Sequence, residues 1–189
     1  QIVDSINAVS RWFNAVAVNA NENQINVIRQ LYCVKKVERS MVTVSVPARQ
    51  KSEASIQKFD MSETQKKMVR AQLKRMNGDV FQRSGLTGKG IRVAVFDAGF
   101  KSYKTNPAFE HLRKNGQILK TWNFVKKNEK VDGGSSHGTN VLSCIAGRNG
   151  DINIGLAQDA EFLLARTETW TEFYAEEENW LAAAEWADK

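Results

Sequence analysis

Cysteine and histidine are both scarce in these 189 residues, with two of each. Cys33 and Cys144 fall in different candidate domains and on apolar faces, so two buried free thiols are expected rather than a disulfide. His111 and His137 belong to no His/Cys cluster, and no H-E-x-x-H occurs. A metal-dependent hydrolase built on Asp97, His137 and Asp132 would therefore lack the usual ligand spacing. No apolar run is long enough for a signal sequence or a membrane span, so no membrane segment is expected in this chain. No G-x-x-x-x-G-K-[ST] is present, because Lys89 is followed by Gly90. Gly85, Gly88 and Gly90 also precede a strand, whereas phosphate-binding glycines follow one, and nucleotide binding is excluded on that ground. The sequence starts at Gln1 without Met and ends at Lys189 just after a helical pattern. It reads as a piece of a longer precursor, so the missing signal peptide says nothing about compartment.

At 42% hydrophobic and 25% charged, the composition is that of a globular protein of one or two domains. The net charge of +6 is unevenly spread: residues 1–90 carry a balance of +8 and residues 91–189 one of −2. The basic residues of the first half are scattered among polar ones and not interleaved with aromatics, so no nucleic-acid partner is expected. A solvated surface fits better, with complementarity to an acidic part of the same protein.

Two stretches concentrate the chemistry. In residues 135–147, SSHGTNVLSCIAG, polar loop residues give way at His137 to a helical pattern. Val141, Leu142, Cys144 and Ile145 make its apolar face, and Gly147 is placed to end it. A histidine at the start of a buried helix is held rigidly, as a general base must be; alone, it is equally a satisfied core histidine. Forty positions upstream, IRVAVFDAGF at 91–100 reads as a strand buried on both faces of a parallel sheet. Asp97 stands at its C-terminal end, the edge where open α/β sheets place their sites. Phosphatases, nucleotide binders and simple turns also carry such an Asp.

Taken together, the two segments resemble the Asp and His motifs of the subtilisin-like serine peptidases (subtilases). The resemblance continues through GLAQDAEFLL at 155–164, similar to that family's turn and next core strand, and through NWLAAAEWAD at 179–188, similar to the helix that follows. The order and spacing of four motifs carry it. It implies an α/β fold, the first half of a doubly wound, mostly parallel sheet, preceded by a small α+β propeptide-like segment.

Along the chain, 12–18 is expected as a strand. A helix follows with Asn21 as N-cap and Ile25, Ile28 and Leu31 inward, and 32–38 reads as a second strand. Any small α+β domain fits this unit; its position before the subtilase motifs favours the C-terminal part of a propeptide, an inhibitor and folding template. The expected divisions are 1–41 for this segment, 42–60 for a polar linker where a precursor would be processed, and 61–189 for the incomplete catalytic domain. Ser62 and Gln65 fit a capping box opening a helix with Met68, Val69, Ala71, Leu73 and Met76 on its apolar side. Residues 80–90 resemble the short helix and glycine turn before the first core strand. His111 is expected to face solvent, 118–125 to form a strand, and 126–136 to deliver His137 as a loop. Past residue 157 the chain turns acidic, and Glu176, Glu177 and Glu178 suit the start of the last helix. Calcium is admitted there by the resemblance, without being required, although such carboxylates equally make a solvated face.

The resemblance gives Asp97 the role of the carboxylate that orients an imidazole and His137 that of general base and acid, in the order Asp, His, Ser. No serine lies in a subtilase nucleophile context: Ser135 and Ser136 abut His137, and Ser143 looks structural. The family's oxyanion asparagine is also absent, since Asn140 and Asn179 lie in the wrong motifs. These residues alone are therefore expected to be inactive and to need the C-terminal half of their own domain. Residues 167–175 would pair with protein or peptide substrates, with Thr169, Trp170 and Phe173 as substrate-binding candidates. The alternative is a pseudopeptidase scaffold that has lost its nucleophile. A secreted or periplasmic location follows from the resemblance alone. A half-sheet would also expose apolar edges, so residues 1–189 are expected to be unstable or to aggregate.

Overall fold

In the computed structural model, residues 2–40, 61–169 and 176–189 are described. The chain divides into two units, one comprising Gln1–Ala48 with Thr167–Lys189 and the other Arg49–Arg166. The first opens with strands β1 (Ser5–Ser10) and β2 (Ala15–Asn19), paired antiparallel with an irregularity between Ile6 and Ala8. The expected strand over 12–18 is thus shortened at its start. Trp12 and Phe13 lie in the connecting turn, which Asn14 closes at a φ of 47°. Helix α1 (Glu22–Arg29) follows, with Asn21 and Gln24 forming a reciprocal capping box. Residues 34–40 form no strand. Val34 and Val37 are three apart, which in an extended chain puts them on opposite faces and removes the apolar side a strand needs. The unit is therefore ββα where strand, helix, strand was expected.

In the second unit, α2 (Glu63–Arg75) begins with the expected capping box between Ser62 and Gln65. Of its expected apolar side only Leu73 is buried, while Met68 and Met76 are 60% and 57% exposed. Val69 and Leu73, four apart, share one face; Met68 and Ala71 lie round the helix from it. After α3 (Gly78–Arg83) come β3 (Arg92–Asp97), a single 3-10 turn at Pro107–Phe109, α4 (Glu110–Lys114) and β4 (Ile118–Asn123). Helix α5 (His137–Ala146), the short hairpin β5 (Arg148–Asn149) and β6 (Ile152–Asn153), and β7 (Glu161–Arg166) complete it.

The sheet is parallel, in the order β3-β7-β4. This is the expected α/β arrangement with one change of role. β7 is the inner strand and is buried from Phe162 to Arg166, whereas β3 lies at an edge and exposes Arg92 and Ala94. The strand buried on both faces is therefore β7, because it alone has a neighbour on each side among the described strands. Gln117 fixes the entry to β7, its Nε2 donating 2.8 Å bonds to the carbonyls of Gln158 and Ala160. Phe100, Phe109, Leu112, Leu142, Phe162 and Leu164 are fully enclosed and form the core. Each contributes about 1.5–3 kcal/mol by leaving water.

Helix α5 has the expected bounds, but its inward side is Thr139, Leu142 and Ala146, with Val141 and Ile145 at the margin. Cys144 points out, and Cys33 is likewise exposed; both thiols are free, but neither is buried. Gly147 ends the helix in an extended conformation, φ −62°. Glycine is needed there because a Cβ would come within 2.5 Å of the Ser143 carbonyl. His111 is not solvent-facing: it is half-buried, and its Nε2 is enclosed without a partner. Burial pushes its pKa down, partly offset by the Ala146 backbone.

The last helix, α6 (Glu176–Ala187), carries its three glutamates in the first turn and belongs to the first unit. Asn179 Nδ2 donates to the Thr167 carbonyl at 3.1 Å. Glu185, 6% exposed, faces the hairpin. It accepts bonds from Ser10 Oγ at 2.6 Å, Arg11 N at 3.0 Å and Trp12 N at 3.3 Å.

Candidate active site

Asp97 is the last residue of β3, and His137 the first of α5. The fold brings these two ends together: His137 Nδ1 lies 2.8 Å from Asp97 Oδ2. The other carboxylate oxygen, Oδ1, accepts the Ala98 N–H at 2.7 Å. The Asp97 side chain is 6% exposed, and that of His137 is 57% exposed. One edge of the ring is therefore fixed from below, while Nε2, the opposite nitrogen, is presented on the open side. A carboxylate on Nδ1 selects the tautomer with its proton there, leaving Nε2 as the acceptor.

The loop before α5 makes this approach possible. Gly138 N donates to the Gly99 carbonyl at 3.1 Å, Lys101 N to the Ser135 carbonyl at 3.1 Å, and Phe100 N to the Val131 carbonyl at 2.9 Å. Thr139 Oγ1 donates to the Lys101 carbonyl at 2.8 Å. Residues 98–101 and 131–139 are thus laced together above the strand ends. Gly138 lies so close that a Cβ would meet Asp97 Cβ at 2.8 Å and Cγ at 2.9 Å. Any side chain at 138 would push α5 off the carboxylate.

The serines beside the pair are already engaged. Ser135 Oγ accepts the His137 N–H at 2.9 Å, and Ser143 Oγ donates to the Asn140 carbonyl at 2.7 Å. Asp132 does not join the pair: it is exposed and faces Lys104 at 3.6 Å. Among the described residues no group of three or more His, Cys, Asp or Glu converges as a metal site. Of the substrate-binding candidates, Thr169 is half-buried at the end of a described segment, while Trp170 and Phe173 lie outside the described residues.

Two buried charged residues have no motif of their own, one in each unit. Arg166 ends β7 in register with Asp97, 8% exposed, its pKa pulled down by burial and its Nε enclosed without a partner. Glu185 clasps the hairpin from α6. Each has one faint signal in the sequence, a charge inside an apolar run: EFLLAR for one, AAAEWA for the other.

Comparison with known proteins gives the family. The profile of the subtilase family matches residues 88–187, more than half of the chain, and this chain belongs to that family. The profile of the peptidase S8 propeptide domain of Bacteroidota matches residues 1–67. Alkaline elastase YaB of Bacillus sp. (strain YaB) is 31% identical over 90 residues. That similarity covers 47% of this chain and 21% of the elastase, so the chain spans well under two thirds of the relative. No described helix is long and apolar enough to cross a membrane.

Proposed function

We propose that the chain is the propeptide-bearing portion of a subtilisin-like serine endopeptidase that cleaves protein substrates through an acyl-enzyme. Asp97 orients and stabilises the imidazolium. His137 Nε2 takes the proton of an attacking serine hydroxyl and returns it to the leaving amine. The serine and the oxyanion donor come from outside residues 1–189. The observation that carries this reading is the 2.8 Å Nδ1–Oδ2 contact with the opposite ring edge open.

In this reading the N-terminal segment is the propeptide, processed within 42–60. Glu185 clasps it to α6, the hydrogen bonds to Ser10, Arg11 and Trp12 joining the propeptide match to the subtilase match. Substrate pairs along 167–175, with Thr169, Trp170 and Phe173 beside it. Calcium is an optional ligand near Glu176–Glu178, and the protein is exported. Fluorophosphonate labelling of the protein from its native source, followed by mapping of the modified peptide, tests the reading. A label on a serine outside residues 1–189, abolished by His137→Ala, is expected. Absence of label on folded, processed protein would favour a scaffold without the nucleophile.

A further inference from the structure

The residues next to Asp97 raise a problem that the Asp–His pair does not answer. Arg166 is nine-tenths buried, its Nε has no partner, and no described carboxylate forms an ion pair with it. A buried guanidinium nitrogen with no partner, and no counter-charge among the described residues, is unfavourable unless the side chain serves another purpose there. Its surroundings show which.

Arg166 and Asp97 are register partners at the C-terminal ends of adjacent parallel strands, and both meet the loop that delivers His137. Asp97 meets it at Gly138. Arg166 meets it at Gly134: a Cβ there would lie 2.8 Å from Cζ and 2.9 Å from Nη2 of the guanidinium. On its other side the same Cβ would strike the Ala98 carbonyl at 2.6 Å. Gly134, at a φ of +80°, is thus wedged between the end of β3 and the arginine plane, three residues before His137. The next residue, Ser135, ties that backbone to the ring, since its Oγ accepts the His137 N–H.

We propose that Arg166 is a positioning residue for the Asp97–His137 pair: its guanidinium is the platform on which the Gly133–Gly134 turn rests, and it sets how His137 meets Asp97. The chemistry of the side chain suits this. A guanidinium is flat, delocalised and weakly hydrated, so it packs against a peptide plane in a way the compact, strongly hydrated ammonium of lysine does not. Strand β7, the inner strand, gives the platform a rigid base. The structural part of the inference stands on the geometry of Gly134; its catalytic consequence rests on the peptidase reading.

The test follows the His137 Nδ1–H signal by NMR in 15N-histidine-labelled protein, with β3 and β7 amides as the fold control. Arg166→Met keeps length and removes charge and plane; Arg166→Lys keeps charge alone. In both, the His137 signal is expected to be lost to exchange with water while the strand amides stay dispersed. Gly134→Ala is expected to do the same. An unchanged His137 signal in Arg166→Met would overturn the proposal. So would joint loss of the strand amides in every variant, which would mark Arg166 as ordinary packing. In the serine-bearing enzyme, Arg166→Met should lower kcat about 10²-fold with KM little changed. An effect on KM alone would count against the proposal. If no variant and no wild-type enzyme turns over, the peptidase reading fails, while the NMR signal still decides the role of Arg166.

Discussion

Among the described residues each unit buries one carboxylate, and the groups those carboxylates hold are opposite in kind. Asp97 holds an imidazole whose far edge stays in water. Glu185 holds a hydroxyl and two backbone N–H groups, at Ser10, Arg11 and Trp12. A carboxylate on one imidazole nitrogen fixes the ring's orientation and leaves the opposite nitrogen accessible. A backbone amide does not titrate, so a carboxylate on two of them makes a clasp that weakens when the acid is protonated. Similar hydrogen-bonding capacity thus orients a half-exposed ring in one unit and ties down a hairpin in the other.

The comparison breaks most visibly at Asp97. Asp97→Asn preserves shape but favours the wrong tautomer, and kcat in the serine-bearing enzyme should fall about 10⁴-fold, measured by steady-state hydrolysis of a peptide substrate. Gly138→Ala attacks the same contact from the helix side. The new methyl, meeting the Gly99 carbonyl at 2.7 Å, should displace α5, lower kcat about 10²-fold and cost about 1–3 kcal/mol in denaturant unfolding.

At Glu185 the expected effect is on attachment, not on turnover. Hydrogen bonds, that from Ser10 first, hold its pKa below the ordinary value of 4.5, so the carboxylate form is favoured in the folded state. The clasp is therefore fully present above about pH 4.5 and is lost as pH falls through the lower folded value. Glu185→Leu should remove that acid dependence and speed hydrogen exchange of the Arg11 and Trp12 amides at neutral pH. Unchanged exchange at both would show that other contacts hold the hairpin.

The smallest effect belongs to His111. Its pKa is depressed by burial, so the unfolded chain takes up a proton first as pH falls below 6.5. Stability should be full above that pH and decline below it, until the folded histidine also protonates. His111→Gln should flatten a urea-unfolding series between pH 7 and pH 5, leaving Asp97 and Glu185 untouched.

The local devices were legible in the chain. Asn21 with Gln24 and Ser62 with Gln65 form their capping boxes, because such pairs need only residues three apart on one backbone. The strand ending at Asp97 and the helix beginning at His137 were equally plain, since hydrophobic periodicity and a loop-to-helix change are local patterns. By contrast, the local pattern misleads on the exposure of His111, Cys144 and Met68, since burial depends on which neighbour covers a face. The same holds for the inner strand. EFLLAR and RVAVFD look alike as apolar runs, and only sheet order made β7 the central one and left β3 at an edge.

The sequence by itself determined the family, the parallel α/β character and the two residues that meet at the strand ends, because each is written in short patterns of residue type and spacing. Tertiary structure alone decided that Glu185 reaches back 175 positions to Ser10, and that Gly134 lies on the guanidinium of Arg166. Such contacts join residues far apart in the chain through a fit of shape and charge that no local pattern records.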